Sequence, residues 1–157
     1  MTTPTVKGFL NPNTAVTAVN GANLNALASG SSVLSAAFSN MQGDSAGDGF
    51  RDAVAKLHVT GNVNVSAGGA ITVWFLTASD GSLYEQGGTS VTPLKPPDIV
   101  FPPVVQNAAI DIELPCRVPI CATIKALVQN TAIGAALTAD NNGYIKLFFN
   151  TDQIPSV

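Results

Sequence analysis

Charged side chains are scarce in this sequence of 157 residues: Asp, Glu, Lys and Arg together make up 11% of it, whereas 46% is hydrophobic. Cytosolic enzymes usually carry about 25% charged residues. A chain with so few charges needs another way to remain in solution, and burying much of its surface against neighbouring subunits is one such way. The composition therefore indicates a subunit of an assembly.

Cationic residues are few and scattered, and the net charge is −3 with a pI near 4.7. A nucleic-acid-binding surface needs clustered cations that displace counterions from phosphates, so we expect no direct binding of DNA or RNA. No stretch is apolar for long enough to span a bilayer, and we expect no membrane partner. The first residues lack a basic region followed by an apolar stretch, so we expect a chain that is made in the cytoplasm and not exported by the Sec route.

Residues that commonly bind metals are also rare. The sequence has one histidine, His58, and two cysteines, Cys116 and Cys121. Two thiolates would need two further ligands to hold zinc, so we expect no metal and no cofactor. In a reducing cytosol the two cysteines remain thiols, although a disulfide across the short loop between them is the alternative.

Patterns that would indicate catalysis are incomplete. His58 is the one imidazole base, and no Gly-x-Ser-x-Gly turn supplies a nucleophile for it. Asp44, Asp48 and Asp52 lie four apart in a Gly-rich run, but the EF-hand spacing fails, and a solvated turn is the favoured interpretation. We therefore expect a protein that is not an enzyme.

Strand patterns dominate from residue 33 onward. Small and apolar residues alternate with wetter ones over residues 53–59, and residues 71–77 follow a glycine turn, so these two strands are predicted to form a hairpin. Further strands are predicted over 33–39, 110–114, 123–129 and 144–149. About seven short strands and no long amphipathic helix predict an all-β chain with one β-sandwich or jelly-roll-like domain over residues 32–157. The predicted core residues are Leu34, Phe38, Leu57, Val59, Val73, Phe75, Ile112, Ile124 and Val128.

A long connection over residues 85–106 contains five prolines. Proline lacks the N–H that a central strand donates, so this stretch is predicted to be a loop or an edge strand. Connections of this length often lie at interfaces, and we expect Phe101 and Val104 to contribute to one. Aromatic residues offer a different prediction, a sugar-stacking platform, which requires Trp74 to be exposed rather than buried. The platform candidates are Trp74, Tyr84, Phe101 and Tyr144.

Residues 1–31 differ from the rest because they are rich in Thr, Asn, Ala, Gly and Ser. Such a segment buries too little apolar area to offset its ordering entropy. It is either a disordered tail or an extended N-terminal arm that orders against a neighbouring subunit, with a short helix over residues 23–28. A plain linker would not need large apolar residues, so those of the arm are expected interface residues: Phe9, Leu10, Val16, Val19, Leu24 and Leu27.

Several segments together resemble small virion proteins of tailed bacteriophages. They are residues 50–57 (FRDAVAKL), 74–85 (WFLTASDGSLYE), 96–101 (PPDIVF), 112–115 (IELP), 124–130 (IKALVQN) and 135–137 (AAL). The resemblance spans about residues 33–150. It departs from the family at residues 115–121 (PCRVPIC), where a simple Leu-Pro-Pro turn is expected.

The resemblance implies a small β-sandwich or jelly-roll subunit at the capsid surface of a virion, made in the host cytoplasm. Its implied function is that of a capsid decoration or cement protein, which bridges and stabilises capsid subunits. The implied partners are the major capsid protein and neighbouring copies of the chain, in a homo-oligomer such as a trimer. The alternatives are a tail, baseplate or fibre component, and a carbohydrate-binding β-sandwich module.

Overall fold

The computed structural model describes residues 7–10, 15–39, 52–59, 69–78, 80, 82–85, 87–102, 110–119, 121, 123–131, 136–137 and 142–153. These residues form strands and one short helix, which confirms the all-β prediction. The elements are β1 (Lys7–Leu10), β2 (Val16–Val19), α1 (Gly21–Leu24), β3 (Ser32–Leu34), β4 (Asp52–Val59), β5 (Ala70–Thr77), β6 (Ile99–Phe101), β7 (Ile110–Arg117), β8 (Ile124–Thr131) and β9 (Tyr144–Gln153).

The strands form two antiparallel sheets that face each other. In sheet 1, β1 and β2 pair with successive parts of β9, and the order continues through β4 to β7. In sheet 2 the order is β3, β8, β5, β6. After β2 the chain changes sheet at every connection except that from β5 to β6. This is the strand order of a jelly roll, a fold in which two four-stranded sheets enclose one core.

Alternation decides which side chains enter that core. In β4 the side chains of Ala53, Ala55, Leu57 and Val59 are buried, whereas the intervening ones are more exposed. Because side chains of a strand point alternately to its two faces, β4 presents one face to the core and one to solvent. Strand β5 is different, since residues 71–76 are all buried. The outward-facing residues of β5 are thus buried as well, so another part of the chain covers the outer face of sheet 2 at this strand.

The main core lies between the sheets and contains most of the predicted core residues. Leu57, Val59, Val73, Phe75, Ile124 and Val128 belong to it, and the partly buried Phe38 and Ile112 pack against it. The rings of Phe38 and Phe75 meet edge to face at 6.3 Å. Leu34 packs instead against a second, smaller cluster of Trp74, Leu76 and Leu127.

The predicted hairpin of the strands at residues 53–59 and 71–77 is wrong. Strand β4 pairs with β7 and β9, and β5 pairs with β6 and β8, so the two lie in different sheets. The local alternation of the two segments is correct, but alternation specifies only which faces are buried. Partner choice depends on long-range packing, which places the two apolar faces opposite each other across the core.

The described part of residues 1–31 belongs to the domain rather than to a separate arm. Strands β1 and β2 add to the edge of sheet 1, and the Asn20 side chain caps the short helix by accepting a hydrogen bond from the Asn23 N–H at 3.1 Å. The Leu27 carbonyl accepts hydrogen bonds from the Asn130 side chain and the Leu137 N–H. Backbone hydrogen bonds that join β1 and β2 to β9 stabilise this segment, which has few large apolar side chains.

Candidate docking surface over sheet 2

Strand β6 is too short to pair with the whole of β5. It pairs only with residues 71–73 of β5, which leaves the backbone of Phe75 at an uncovered edge. Side chains take the place of the missing strand: Asp98 Oδ2 accepts the Phe75 N–H at 2.6 Å, and Lys95 Nζ donates to the Phe75 carbonyl at 2.7 Å. Unpaired edges invite association with other strands, and these two side chains remove that opening.

The segment that carries these side chains is here called the covering loop, residues 82–85 and 87–98. Lys95 Nζ lies 2.9 Å from Glu85 Oε2 and 3.7 Å from Asp98 Oδ2. Glu85 also accepts a hydrogen bond from the Thr77 hydroxyl at 2.9 Å. The hydrogen bond from Lys95, with that from Thr77, lowers the pKa of Glu85 against the opposing effect of burial. The charged side chains of the covering loop thus pair with one another.

Beneath the covering loop lies the smaller apolar cluster on the outer face of sheet 2. Trp74 is 4% exposed, and its indole Nε1 donates to the Lys95 carbonyl at 3.1 Å. Tyr84 packs against this cluster from the loop. Gly87 approaches so closely that a Cβ there would meet Leu76 Cδ1 and Pro93 Cγ, each at 3.0 Å. The inner side of the loop is therefore apolar and tightly seated.

The outer side of the same region carries exposed apolar side chains among exposed polar ones. Within the described part of the chain, the large apolar side chains that stand exposed all fall in residues 83–100: Leu83 at 77%, Val91 at 56%, Leu94 at 98% and Val100 at 48%. Val100 faces outward from β6, whose other two residues are buried in the core. We call these four side chains the apolar surface. Exposed apolar side chains that lie together mark contact sites, so these four residues are the candidate contact residues of the described chain.

Polar residues form rows across the opposite side of the molecule, on the outer face of sheet 1. His58 Nδ1 lies 3.0 Å from Asp111 Oδ1, and its ring stacks on Tyr144 at 4.9 Å. Lys56 bridges Asp111 at 3.3 Å and Glu113 at 3.4 Å. These contacts follow from register, since β4 places His58 between Asp111 and Tyr144.

The charges in these rows shift the pKa values of Asp111 and Lys56. Hydrogen bonds from His58 and then Lys56 lower the pKa of Asp111. Hydrogen bonds to Asp111 and then Glu113 raise the pKa of Lys56. The described residues contain no group of three His, Cys, Asp or Glu side chains that could hold a metal ion. We interpret these contacts as cross-strand side-chain pairs on the solvent-exposed face of sheet 1.

Cys116 and Cys121 are thiols in the structure and are not joined in a disulfide. Burial raises the pKa of the Cys116 thiol to about 12, so it is protonated and inert at neutral pH. Cys121 Sγ donates weak hydrogen bonds to the carbonyls of Thr123 at 3.3 Å and Ala78 at 3.4 Å. Both side chains pack against the main core.

The residues predicted to form an interface mostly serve the chain's own core. Val19, Leu24, Leu27 and Phe101 are buried there, and Val16 packs against it partly buried. Phe9 and Leu10 lie on β1, paired with residues 150 and 151 of β9. Val104 lies outside the described residues. The structure thus corrects the expectation that the buried side chains are available to a neighbour, because their own sheets already cover them.

The predicted sugar-stacking platform is not assembled. Trp74 is covered, Phe101 is buried in the main core, and Tyr84 and Tyr144 lie on the outer faces of different sheets. The apolar surface was missed at the sequence level. The sequence feature that could have predicted it is the presence of Val91 and Leu94 in a proline-rich connection. These apolar residues do not follow the alternating pattern of a strand that faces the core.

Comparisons with known proteins identify no relative, so a function is inferred from the fold and the surfaces alone. No protein-family model, curated protein or solved structure matches this chain. Among the described residues, no helix is both long enough and apolar enough to cross a bilayer.

Proposed function

We propose that this chain is a non-enzymatic structural subunit of a tailed-bacteriophage particle, a capsid decoration or cement protein that docks on the major capsid protein through its apolar surface. The observation that carries the proposal is a covering loop that packs on apolar residues beneath it and exposes large apolar side chains above it. Its inner side rests on Trp74 and Leu76, and its outer side presents Leu83 and Leu94 to solvent. A segment with large apolar side chains on both of its sides is suited to lie between two protein bodies.

The energetic incentive for docking is considerable. Moving one exposed Leu or Val side chain from water into an apolar contact gains roughly 1.5–3 kcal/mol before the costs of association are subtracted. Leu94, at 98% exposed, has almost its whole side chain left to bury. The cost of ordering the loop is small, because Pro93, Pro96 and Pro97 restrict its backbone before any partner arrives.

The charges favour a protein partner over a nucleic acid or a lipid surface. The covering loop's charged residues are Glu85, Lys95 and Asp98, and they are paired with one another. No basic cluster is offered to phosphates, so the complementary surface is an apolar, uncharged face of another protein. Permanent interfaces are the more hydrophobic ones, which agrees with a subunit that stays on its particle.

The low charge of the whole chain supports the same proposal. With 11% charged residues, the chain has few charges to keep a free subunit in solution, whereas a subunit held in a shell depends on them less. Neighbouring copies on a capsid lattice are further partners in the proposal, with a trimer as the expected symmetric oligomer. Synthesis in the host cytoplasm and a final position on the capsid surface belong to the same proposal.

The test is fractionation of the particles from which the chain comes. DNA-filled heads and tails are separated on a gradient, and the chain is quantified against the major capsid protein in each fraction. Copies in proportion to the capsid protein in the head fraction would support the decoration role. A few copies in the tail fraction would replace it by a tail, baseplate or fibre role, and absence from both fractions would reject a virion role.

A matched pair of variants connects that result to the apolar surface. Leu94→Asp places a charge in the middle of the proposed contact, and we expect it to abolish binding to heads. Thr17→Asp adds the same charge on β2, an exposed position of sheet 1, and we expect binding at the wild-type level. Equal binding by both variants would remove the apolar surface from the proposal.

A further inference from the structure

We propose that Lys95 is the positioning residue of the docking surface: it fixes the covering loop so that Leu94 is presented in the geometry in which the partner binds it. This inference rests on the proposed function. Lys95 itself need not touch the partner, because its contacts are directed down into its own chain.

Adjacent residues of the loop point in opposite directions. Leu94 is 98% exposed, whereas its neighbours are held from below. Pro93 is buried beside Gly87 and Leu76. On the other side, the Lys95 carbonyl accepts the Trp74 indole N–H at 3.1 Å. Leu94 is therefore displayed between two fixed points.

The ammonium group of Lys95 joins three parts of the chain. It donates to the carbonyl of Phe75 in β5, and it pairs with Glu85 and Asp98 from the two ends of the covering loop. The oxygens of Phe75 and Glu85 lie within hydrogen-bond distance of Nζ at 2.7 and 2.9 Å, and Asp98 Oδ2 completes an ion pair at 3.7 Å. One side chain thus ties the beginning and the end of the loop to the edge of sheet 2.

Proline adds stiffness on the C-terminal side of this point. Pro96 disfavours the helical conformation for Lys95, and Pro97 fixes its own φ. Backbone stiffness alone does not set the height of the loop above the sheet, which the ammonium contacts fix together with the hydrogen bonds of Trp74 and Asp98. Removing the ammonium should leave the loop stiff but less well placed, so that ordering it on binding costs free energy.

The experiment measures binding to DNA-filled heads isolated from phage grown without this chain. Lys95→Met keeps the aliphatic stem and removes the ammonium, and we expect affinity to fall at least about tenfold. Lys95→Arg keeps the charge with a different donor geometry, and we expect partial recovery. The second readout is hydrogen exchange of the Trp74 indole N–H, which reports whether the loop remains seated.

The two readouts separate positioning from direct contact. For Lys95→Met we expect faster indole exchange together with weaker binding. For Leu94→Asp we expect lost binding with indole exchange unchanged, because Leu94 does not hold the loop down. Glu85→Gln removes one ionic partner of Lys95 and should give a smaller change in the same direction, which keeps the test open if Lys95→Met folds poorly.

The outcomes distinguish this inference from the proposed function. Wild-type binding with full affinity retained by Lys95→Met would overturn the role of Lys95 and leave the docking surface intact. Weaker binding by Lys95→Met with indole exchange at the wild-type rate would also overturn it, since Lys95 would then be a contact residue. Failure of the wild-type chain to bind heads would reject the proposed function itself.

Discussion

Substitution of Trp74 by alanine tests whether the covering loop is seated on sheet 2. The indole is 4% exposed and donates to the Lys95 carbonyl. Replacing a buried aromatic side chain by alanine costs about 3–5 kcal/mol, including the cavity that remains. The lost hydrogen bond adds about 1 kcal/mol, part of which is recovered when water reaches the carbonyl. We expect a loss of about 4 kcal/mol in the free energy of unfolding.

The assay is urea unfolding followed by far-ultraviolet circular dichroism, since the variant lacks the chain's one tryptophan. With a slope of about 2 kcal/mol per molar urea, the expected loss lowers the midpoint by about 2 M. Trp74→Phe keeps most of the apolar volume and removes the indole donor, and we expect it to cost about 1–2 kcal/mol. The difference between the two variants isolates the contribution of packing.

The matched control is Leu94→Ala in the same loop. Leu94 is 98% exposed, so its truncation should change stability by less than about 0.5 kcal/mol. A loss below about 1 kcal/mol for Trp74→Ala would refute the reasoning, because it would mean that the indole is not buried under the loop. It would also reopen the sugar-stacking interpretation, which needs this side chain exposed.

Three further predictions probe the same architecture. Glu85 has a lowered pKa in the folded chain, so its ionised form stabilises the fold above its ordinary pKa of 4.5, and this stabilisation is lost as pH falls through the folded value. We expect the stability difference between wild type and Glu85→Gln to be constant above about pH 5 and to shrink below it in acid titrations followed by circular dichroism. Cys116, with a thiol pKa of about 12 against an ordinary 9.0, should react with iodoacetamide at pH 8 at least about thirtyfold more slowly in folded Cys121→Ser protein than after unfolding, because the smaller thiolate fraction outweighs the higher nucleophilicity of that thiolate. Gly87→Val should cost about 2 kcal/mol in urea unfolding, because its Cβ would meet Leu76 and Pro93 at 3.0 Å.

Each of these predictions has a contradicting result. A Glu85→Gln difference that does not change with pH would mean that ionisation of this carboxyl contributes nothing to stability. Labelling of Cys116 at similar rates in the folded and unfolded variant would show that its thiol is accessible. Wild-type stability of Gly87→Val would show that the side chains of Leu76 and Pro93 can move aside without cost.

The sequence predicts a strand correctly where one face of that strand is buried and the other is exposed. In β4, buried and exposed positions alternate as the pattern predicts, because the side-chain period of a strand is fixed by its geometry. The same local rule cannot choose partners. The pairing of β4 with β7 and β9 joins residues far apart in the chain, and only the complete set of apolar faces specifies it.

The candidate site was only partly predictable for a related reason. The proline-rich connection was correctly expected to be a loop or an edge strand, and β6 is an edge strand within it. Which side of the loop each residue faces depends on Lys95 and Asp98 reaching the backbone of Phe75. Residues 15–31 appeared too poor in large apolar residues to join a core, but backbone pairing of β2 and burial of Leu24 incorporate them.

The most direct test of the proposed docking is a cryo-electron microscopy reconstruction of DNA-filled heads carrying this chain. We expect a jelly-roll density on the outside of the shell, with the covering loop facing the major capsid protein and Leu94 buried in the contact. A shell without this density, or a bound subunit whose covering loop faces solvent, would contradict the account.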